Sequence, residues 1–354
     1  MKSNYKSIGE LVERIDQRNT DGTLTNLIGV SIDKRFIPSV ANVIGTDLTK
    51  YKVIEKYDFA VSLMQVSRDE KIPVACQTDF DKAIMSPAYP IFRVKDTNVI
   101  LPEYLEMWFM RPEFDREASF IAVGGVRGSM PWDDFANMKL PVPSIMEQHE
   151  IVSGYKAITE RIKLKKQIND NLEATALAIY KETFITQNSS DWSKGTLSDL
   201  LTVKYGKDHK HLADGPIPLY GSGGIMRYVE KALYDKVSVL IPRKGTLSNV
   251  IYVDEPFWSV DTMFYTEIAK PYAAKFIYYF VKSKDLAGMD TGSAVPSMSS
   301  EIIHSMQLSI PDDDTLISFD NRLCPLYKQI KANNQECAKL KDLQDVLLTT
   351  ILSH

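Results

Sequence analysis

The chain lacks long apolar runs, has few cysteines and carries no excess of positive charge. No apolar stretch approaches the roughly 20 residues that cross a bilayer, and the opening Met1-Lys2-Ser3-Asn4-Tyr5-Lys6 has no apolar signal segment. Both absences predict a cytoplasmic protein without a membrane partner. The three cysteines, Cys76, Cys324 and Cys337, are widely separated and unpaired in spacing. That argues against a disulfide framework or a zinc site, and no metal ligands are assigned. A formal charge of −4 at pH 7 is a mild argument against nucleic-acid binding. It is overcome only where basic residues gather on one face. What is present is a globular composition, 44% apolar and 25% charged over 354 residues. That supports a real core and about two to three domains.

The chain repeats itself. Ile151, Tyr155, Ile158, Ile162, Lys165, Asn169, Leu172, Ala176, Ile179 and Thr183 follow one another in alternating steps of four and three. Such steps place all of them on one stripe of a helix. A second set lies 168 residues further on: Phe319, Leu323, Leu326, Ile330, Asn333, Cys337, Leu340, Gln344, Leu347 and Ile351. Typical globular helices run ~10–14 residues. Two much longer helices with exposed stripes most simply bury each other. Antiparallel pairing puts Asn169 beside Asn333 and Lys165 beside Cys337, a polar layer that fixes register at a cost in stability. On that picture Asn333→Leu raises the melting temperature.

The repeat extends upstream. Leu140-Pro141-Val142-Pro143 corresponds to Leu308-Ser309-Ile310-Pro311, Glu103-Tyr104-Leu105 resembles Lys275-Phe276-Ile277, and Gly128-Ser129-Met130-Pro131 resembles Ser293-Ala294-Val295-Pro296. Each half thus reads as a mixed domain, a strand ending in proline, and a long helix. The predicted fold class is α+β, with two mixed α/β domains joined by two long antiparallel helices in an internal pseudo-two-fold repeat. The segments are 1–143, 144–188, 189–311 and 312–354. Strands are predicted at Leu27–Ile32, Asp58–Val66, Ile91–Val94, Val237–Ile241 and Val250–Val253, and a helix at Pro102–Arg111. Glycine-rich loops with basic neighbours follow, at Gly124–Ser129, Gly206–His211, Gly221–Gly224 and Arg243-Lys244-Gly245. Glycine lets backbone approach a phosphate, and arginine or lysine supplies the charge. Any one such loop reads equally well as a plain turn. Their recurrence in both halves gives them weight.

Leu140-Pro141-Val142-Pro143-Ser144-Ile145-Met146-Glu147-Gln148, running into the helix that contains Ile158 to Tyr180, resembles the central conserved region of type I restriction-modification specificity subunits. Pro218-Leu219-Tyr220-Gly221-Ser222-Gly223-Gly224-Ile225, Arg243-Lys244-Gly245 and Lys275–Phe280 resemble that family's target-recognition domain. The resemblance implies a non-catalytic subunit that reads a bipartite target on double-stranded DNA. It implies two modification subunits that use S-adenosylmethionine to methylate adenine, and motor-nuclease restriction subunits that use ATP and Mg2+. No cofactor is expected on this chain. Where the first repeat has Glu147-Gln148, the second has Asp312-Asp313-Asp314, which reads as a helix cap. Expected DNA contacts are Gln65, Arg68, Lys71 and Arg127 in the first half. In the second they are Lys207, His209, Lys210, Tyr220, Ser222, Arg227, Arg243, Lys244 and Ser297, with Tyr220 equally readable as core.

Catalytic readings find little support. Ser86-Pro87-Ala88-Tyr89 lacks the amide or carboxylate of an adenine-methyltransferase motif, and there is no P-loop. Asp69-Glu70-Lys71 and Asp208-His209-Lys210 are nuclease-like triplets, but the only Pro-Asp step, Pro311-Asp312, lies downstream of both. A coiled-coil scaffold that never touches DNA, and a nuclease with an unrecognised site, remain the alternatives. The resemblance further implies that the helices act as a ruler between the two readers. A helix of about 36 residues, roughly 54 Å long, is enough to hold them about one DNA turn apart, ~34–36 Å. Changing the helix length is therefore expected to change the spacer of the target and leave its half-sites unaltered, which methylation mapping of length variants reads directly.

Overall fold

Each half of the chain begins with a strand that pairs with the strand leading into its long helix. The computed structural model describes residues 4–39, 46–64, 66–123, 128–186, 192–289 and 297–350. Tyr5–Ser7 runs antiparallel to Lys139–Pro141, with Ser7 opposite Lys139. Ser193–Thr196 runs antiparallel to Gln307–Ile310, with Thr196 opposite Gln307. Each first strand ends on a hydroxyl residue that opens a single helical turn. Ser7 N and Oγ donate to Glu10 Oε2 at 2.7 and 2.8 Å, and Thr196 N and Oγ1 donate to Asp199 Oδ2 at 2.8 and 3.4 Å. The following amides bond back to the closing segment, Ile8 N to Met138 O and Leu197 N to Met306 O, both at 2.9 Å. Such reciprocal caps satisfy amides that a helix start leaves orphaned.

The sheets repeat as well. In the first half Val12–Ile15, Ile91–Val94, Phe59–Val61 and Val74–Cys76 lie side by side, all antiparallel. In the second the order is Leu201–Tyr205, Met263–Ile268, Ser238–Pro242 and Ile251–Val253, again antiparallel. The second half adds a three-stranded sheet, in which Asp214–Gly221 lies between Gly224–Val229 and Trp258–Ser259. The helices Pro102–Phe109 and Ala274–Lys282 occupy matching places after the sheet strands. Their buried faces correspond, Tyr104-Leu105 to Phe276-Ile277. Aromatic packing dominates both cores: Phe59 stacks on Phe92 at 5.3 Å, and Tyr180 on Tyr279 at 5.4 Å.

The long helices run Ile145–Lys181, continued by a π turn Glu182–Thr186, and Asp313–Thr350. Every member of the first heptad stripe is buried or half-buried, as are the nine described members of the second, including Ile158, Ile162, Leu172, Ile330 and Leu340. Ile351 lies outside the described residues. Cross-helix bonds confirm the antiparallel sense: Gln344 Nε2 to Thr159 Oγ1 at 2.7 Å, Arg161 to Glu336 at 2.5 Å, and Arg322 to Glu182 at 3.3 Å. Pro325 sits inside the second helix on its exposed face. The amide it removes would have bonded the Asn321 carbonyl, which on that face has access to water.

The chain divides into two compact units, Met1–Leu164 with Gln335–His354, and Lys165–Asn334. The division falls inside both long helices because their buried side chains serve two cores. Val152 and Leu348 belong to the first, while Ala176, Tyr180, Phe184, Phe319 and Leu323 belong to the second. The strand expected at Asp58–Val66 ends at Val61, and the chain turns into a short helix, Val66–Asp69. The others fall within two residues of Ile28–Val30, Ile91–Val94, Ser238–Pro242 and Ile251–Val253.

The polar layer is more connected than a single pair. Asn333 Nδ2 donates to Asn169 Oδ1 at 2.7 Å, and Asn333 Oδ1 accepts from Lys165 Nζ at 3.1 Å and Gln329 Nε2 at 2.9 Å. Asn169 Nδ2 donates to Asn334 Oδ1 at 2.8 Å. Asn333 is fully buried. This reverses the effect expected of Asn333→Leu, which removes a donor and an acceptor from a satisfied buried network. The single variant is expected to lose about 1–3 kcal/mol. Adding Asn169→Leu removes the stranded carbonyl as well and restores most of the loss. Urea unfolding of the single and double variants reads the sign.

Candidate nucleic-acid interface

In each unit a loop after the central sheet strand meets the segment that leads into the last short helix. In the first unit Met130 N donates to Leu63 O at 2.8 Å. Gly128 has φ +72°, and a Cβ there would lie 2.4 Å from Ser67 Oγ, beside Arg68. In the second unit Met298 N donates to Arg243 O at 2.9 Å, and Lys244 bridges Ser297. Met130 and Met298, both buried, are related by the 168-residue repeat. Met130 and Met298 thus hold matching places in the two units, while the second half of the expected match between Gly128–Pro131 and Ser293–Pro296 is not among the described residues. Two expected contacts, Gln65 and Arg127, also lie outside the described residues.

In the second unit the loop is built on backbone bonds. Arg243 N and Lys244 N both donate to Thr262 O, at 2.8 and 3.2 Å. The Arg243 guanidinium lies 5.4 Å from the Tyr205 ring centroid, and its Nη1 donates to Asp261 O at 3.1 Å. That stacking holds a half-exposed cation in one orientation. Two residues on from Tyr205, Lys207 is exposed, and its backbone is fixed by Trp258 Nε1 to Lys207 O at 3.1 Å. The Ser222 turn closes the cluster: Asn249 Nδ2 donates to Ser222 O at 2.8 Å, and Gly245, at φ +85°, would bring a Cβ to 3.0 Å from Ser222 Oγ. Lys207, Ser222, Arg243, Lys244 and Ser297 thus lie on connected segments of one unit. This is the local gathering of cations that a chain of net charge −4 requires. In the first unit Arg68 and Lys71 are exposed, with Arg68 paired to Asp69 at 2.8 Å. An exposed pair of that kind is worth ~0–1 kcal/mol, so it holds the arginine only weakly.

Three expected contacts stand differently. Tyr220 is 8% exposed and packs edge-on against Phe257, so it belongs to the core. Arg227 is committed internally, donating to Asp214 Oδ1 at 2.9 Å, His209 O at 2.8 Å and Leu212 O at 3.1 Å. It staples the 209–214 segment to the hairpin and has little left to offer a ligand. His209 Nδ1 is buried without a hydrogen-bond partner, which turns that ring edge away from solvent. Its neighbour Lys210 is exposed.

The Glu147-Gln148 pair is structural. Ser144 N and Oγ donate to Glu147 Oε2 at 2.9 and 2.7 Å, capping the first long helix. Gln148 is fully buried. Its Oε1 accepts from Leu101 N, and its Nε2 donates to Val99 O and Pro143 O, all at 2.9 Å. In the second repeat Asp312 takes the capping role, accepting from Thr315 N and Oγ1 at 2.8 and 2.9 Å. Buried Leu316 stands where Gln148 stands in the first. Among the described residues no group of three or more His, Cys, Asp or Glu is placed to hold a metal ion, and no helix is long and apolar enough to cross a membrane. A cavity of about 190 Å³ beside helix Pro102–Phe109 is lined by Glu103, Glu106, Met110, Tyr155 and Lys156. Burial pushes the Glu106 carboxyl up to about 7.

The family model of the type I restriction modification DNA specificity domain matches residues 66–174 and 189–341. The chain belongs to this family, whose members are the non-catalytic recognition subunits of type I systems. It is similar to the specificity subunit of the type I restriction enzyme HindI from Haemophilus influenzae, 22% identical over 205 residues. That match covers 56% of this chain and 44% of the Haemophilus subunit. The specificity subunit of the MjaIX enzyme from Methanocaldococcus jannaschii is 22% identical over 300 residues, covering 72% of this chain and 68% of the relative. The fold is that of the S subunit of the type I restriction-modification system from M. genitalium, with a TM-score of 0.61 at 16% identity over 99% of this chain and 96% of that one.

The two kinds of cation separate in an unfolding experiment. Arg227→Ala is expected to cost about 1–3 kcal/mol, because two part-buried carbonyls lose their donor. Lys244→Ala is expected to stay within about 0.5 kcal/mol of the parent. Thermal denaturation of both variants checks the contrast.

Proposed function

We propose that this chain is the sequence-reading subunit of a type I restriction-modification complex, and that each unit reads one half of a bipartite site on double-stranded DNA. The observation that carries the reading is the backbone pair found within each unit, Leu63 with Met130 in the first and Arg243 with Met298 in the second. Exposed Lys207, Lys210, Lys244, Arg68 and Lys71 suit phosphates. Such contacts set register without carrying sequence. The oriented Arg243 guanidinium suits the O6/N7 edge of guanine, and Ser222 and Ser297 suit either base edge. Gln65 and Arg127 complete the proposed set in the first unit. The chain itself contributes recognition. Two modification subunits supply S-adenosylmethionine-dependent adenine methylation, restriction subunits supply ATP- and Mg2+-dependent cleavage, and the complex works in the cytoplasm.

The test is adenine-methylation mapping of host DNA, with this chain co-expressed beside its modification subunit and with that subunit alone. A split motif of fixed spacer, present only with this chain, is expected. Within it, Arg243→Ala is expected to relax one half-site and leave the other intact. An unchanged methylome from a complex that still assembles overturns the reading and favours a scaffold that does not touch DNA.

A further inference from the structure

The hairpin formed by Asp214–Gly221 and Gly224–Val229 carries apolar surface that no core explains. Gly224–Val229 is the edge strand of its sheet, and Ile225, Met226 and Tyr228 on it are 50%, 58% and 52% exposed. Successive strand residues point to opposite faces, so this edge is bare on both sides near its tip. An edge strand bare on both faces is normally blunted by charge, yet these positions are apolar. The turn before it is open: a Cβ on Gly223 or Gly224 would meet nothing within 4 Å. Met226 is not loose, however. Its Sδ lies 2.5 Å from where a Cβ on Gly221 would sit, so the thioether is folded over that glycine.

The tip is joined to the cationic loop. Asn249 holds the Ser222 carbonyl, and Gly245, next to Lys244, approaches the Ser222 hydroxyl. An apolar two-stranded ribbon flanked by Lys207, Arg243 and Lys244 combines two complementary features of duplex DNA. The major groove admits a two-stranded ribbon between its phosphate walls, and the only apolar group on its base edges is the thymine C5-methyl. We infer that Ile225 and Met226 read a thymine methyl in the half-site of the second unit. The inference rests on the DNA-reading role proposed above and assigns a base chemistry to one element of it. Met226 suits the task because a flexible, polarisable thioether adapts to a methyl, and its seat over Gly221 fixes where it does so.

The experiment uses the complex of this chain with its modification subunits and a duplex carrying the mapped target. Each thymine of the second unit's half-site is replaced in turn by deoxyuridine, which deletes only the methyl. One replacement is expected to weaken binding roughly four-fold, the worth of one buried methyl group. The Ile225→Ala/Met226→Ala complex is expected to bind the thymine duplex about as weakly as the parent binds that uracil duplex, and to lose nothing further on uracil. The same uracil penalty in parent and variant, no penalty at any thymine, or a half-site without thymine overturns the assignment and leaves DNA reading by this unit standing. No preference for the mapped target over random duplex overturns the DNA reading itself. A variant that fails to assemble with the modification subunit while its melting temperature is unchanged marks the strand as a protein-binding surface, which also overturns the assignment.

Discussion

The hydrogen-bonded pairing of each domain's first strand with its last is the constraint from which the rest of the architecture follows. Ser7 opposite Lys139 and Thr196 opposite Gln307 bring the beginning of each domain to the foot of its long helix. Once that ladder is made, the amides of Ile8 and Leu197 can reach Met138 and Met306. The one-turn helices are then capped, and the following strands Val12–Ile15 and Leu201–Tyr205 are delivered to the edges of their sheets. A long helix that began on an unanchored chain would pay the ordering entropy of its first turns alone. Here the first turn is already fixed by sheet pairing and by a side-chain cap.

The two repeats keep this frame and change the chemistry that fastens it. Gln148 bonds three backbone groups of its own domain, whereas Leu316 at the matching place packs into an apolar core. The helix Pro102–Phe109 is tied to the first long helix by Glu103 and Lys156 at 2.9 Å. Its counterpart is tied to the second by Lys275 and Asp320 at 2.6 Å, with the sign of charge exchanged. The first pair is largely exposed at Lys156. The second is buried, and the Lys275 ammonium lies 5.5 Å from the ring centroids of both Tyr252 and Tyr327. Buried ion pairs offset their desolvation only with such additional contacts. Two solutions to one packing problem mean that a residue's importance in one half does not transfer to its counterpart in the other.

The parts legible in the sequence are those written in local periodicity. The heptad steps of Ile151 to Thr183 and Phe319 to Ile351 fix which face of each helix is buried, and the matching of Asn169 with Asn333 follows from pairing the two stripes end to end. Pro325 does not disturb the pattern because it lies on the opposite face, between Leu323 and Leu326. Sheet order and the commitments of single polar side chains were not legible, since both are settled by residues distant in sequence. Arg227 reads as a surface cation until Leu212 and His209 turn their carbonyls toward it. Gln148 is fastened by Val99 and Leu101, which arrive from another segment. One further local signal is the capping-box spacing of Ser7-Ile8-Gly9-Glu10 and Thr196-Leu197-Ser198-Asp199, which marks the one-turn helix that opens each domain.

The same distinction between local and distant constraints bears on how the loop surface can vary without loss of the fold. The loops that carry Arg243 and Lys244 are held by backbone groups, Arg243 N and Lys244 N on the Thr262 carbonyl and Met298 N on the Arg243 carbonyl. Any residue other than proline supplies the same amide. Leu63 and Met130 make the corresponding bond in the first unit, again through the main chain. The side chains at these positions can therefore change their chemistry while the loop keeps its place. Arg227 and Gln148 hold the structure through their side-chain atoms and have no such freedom. A surface built on the first kind of position, and a frame built on the second, allows surface chemistry to change by substitution while the strand ladders and helix caps beneath it stay as they are.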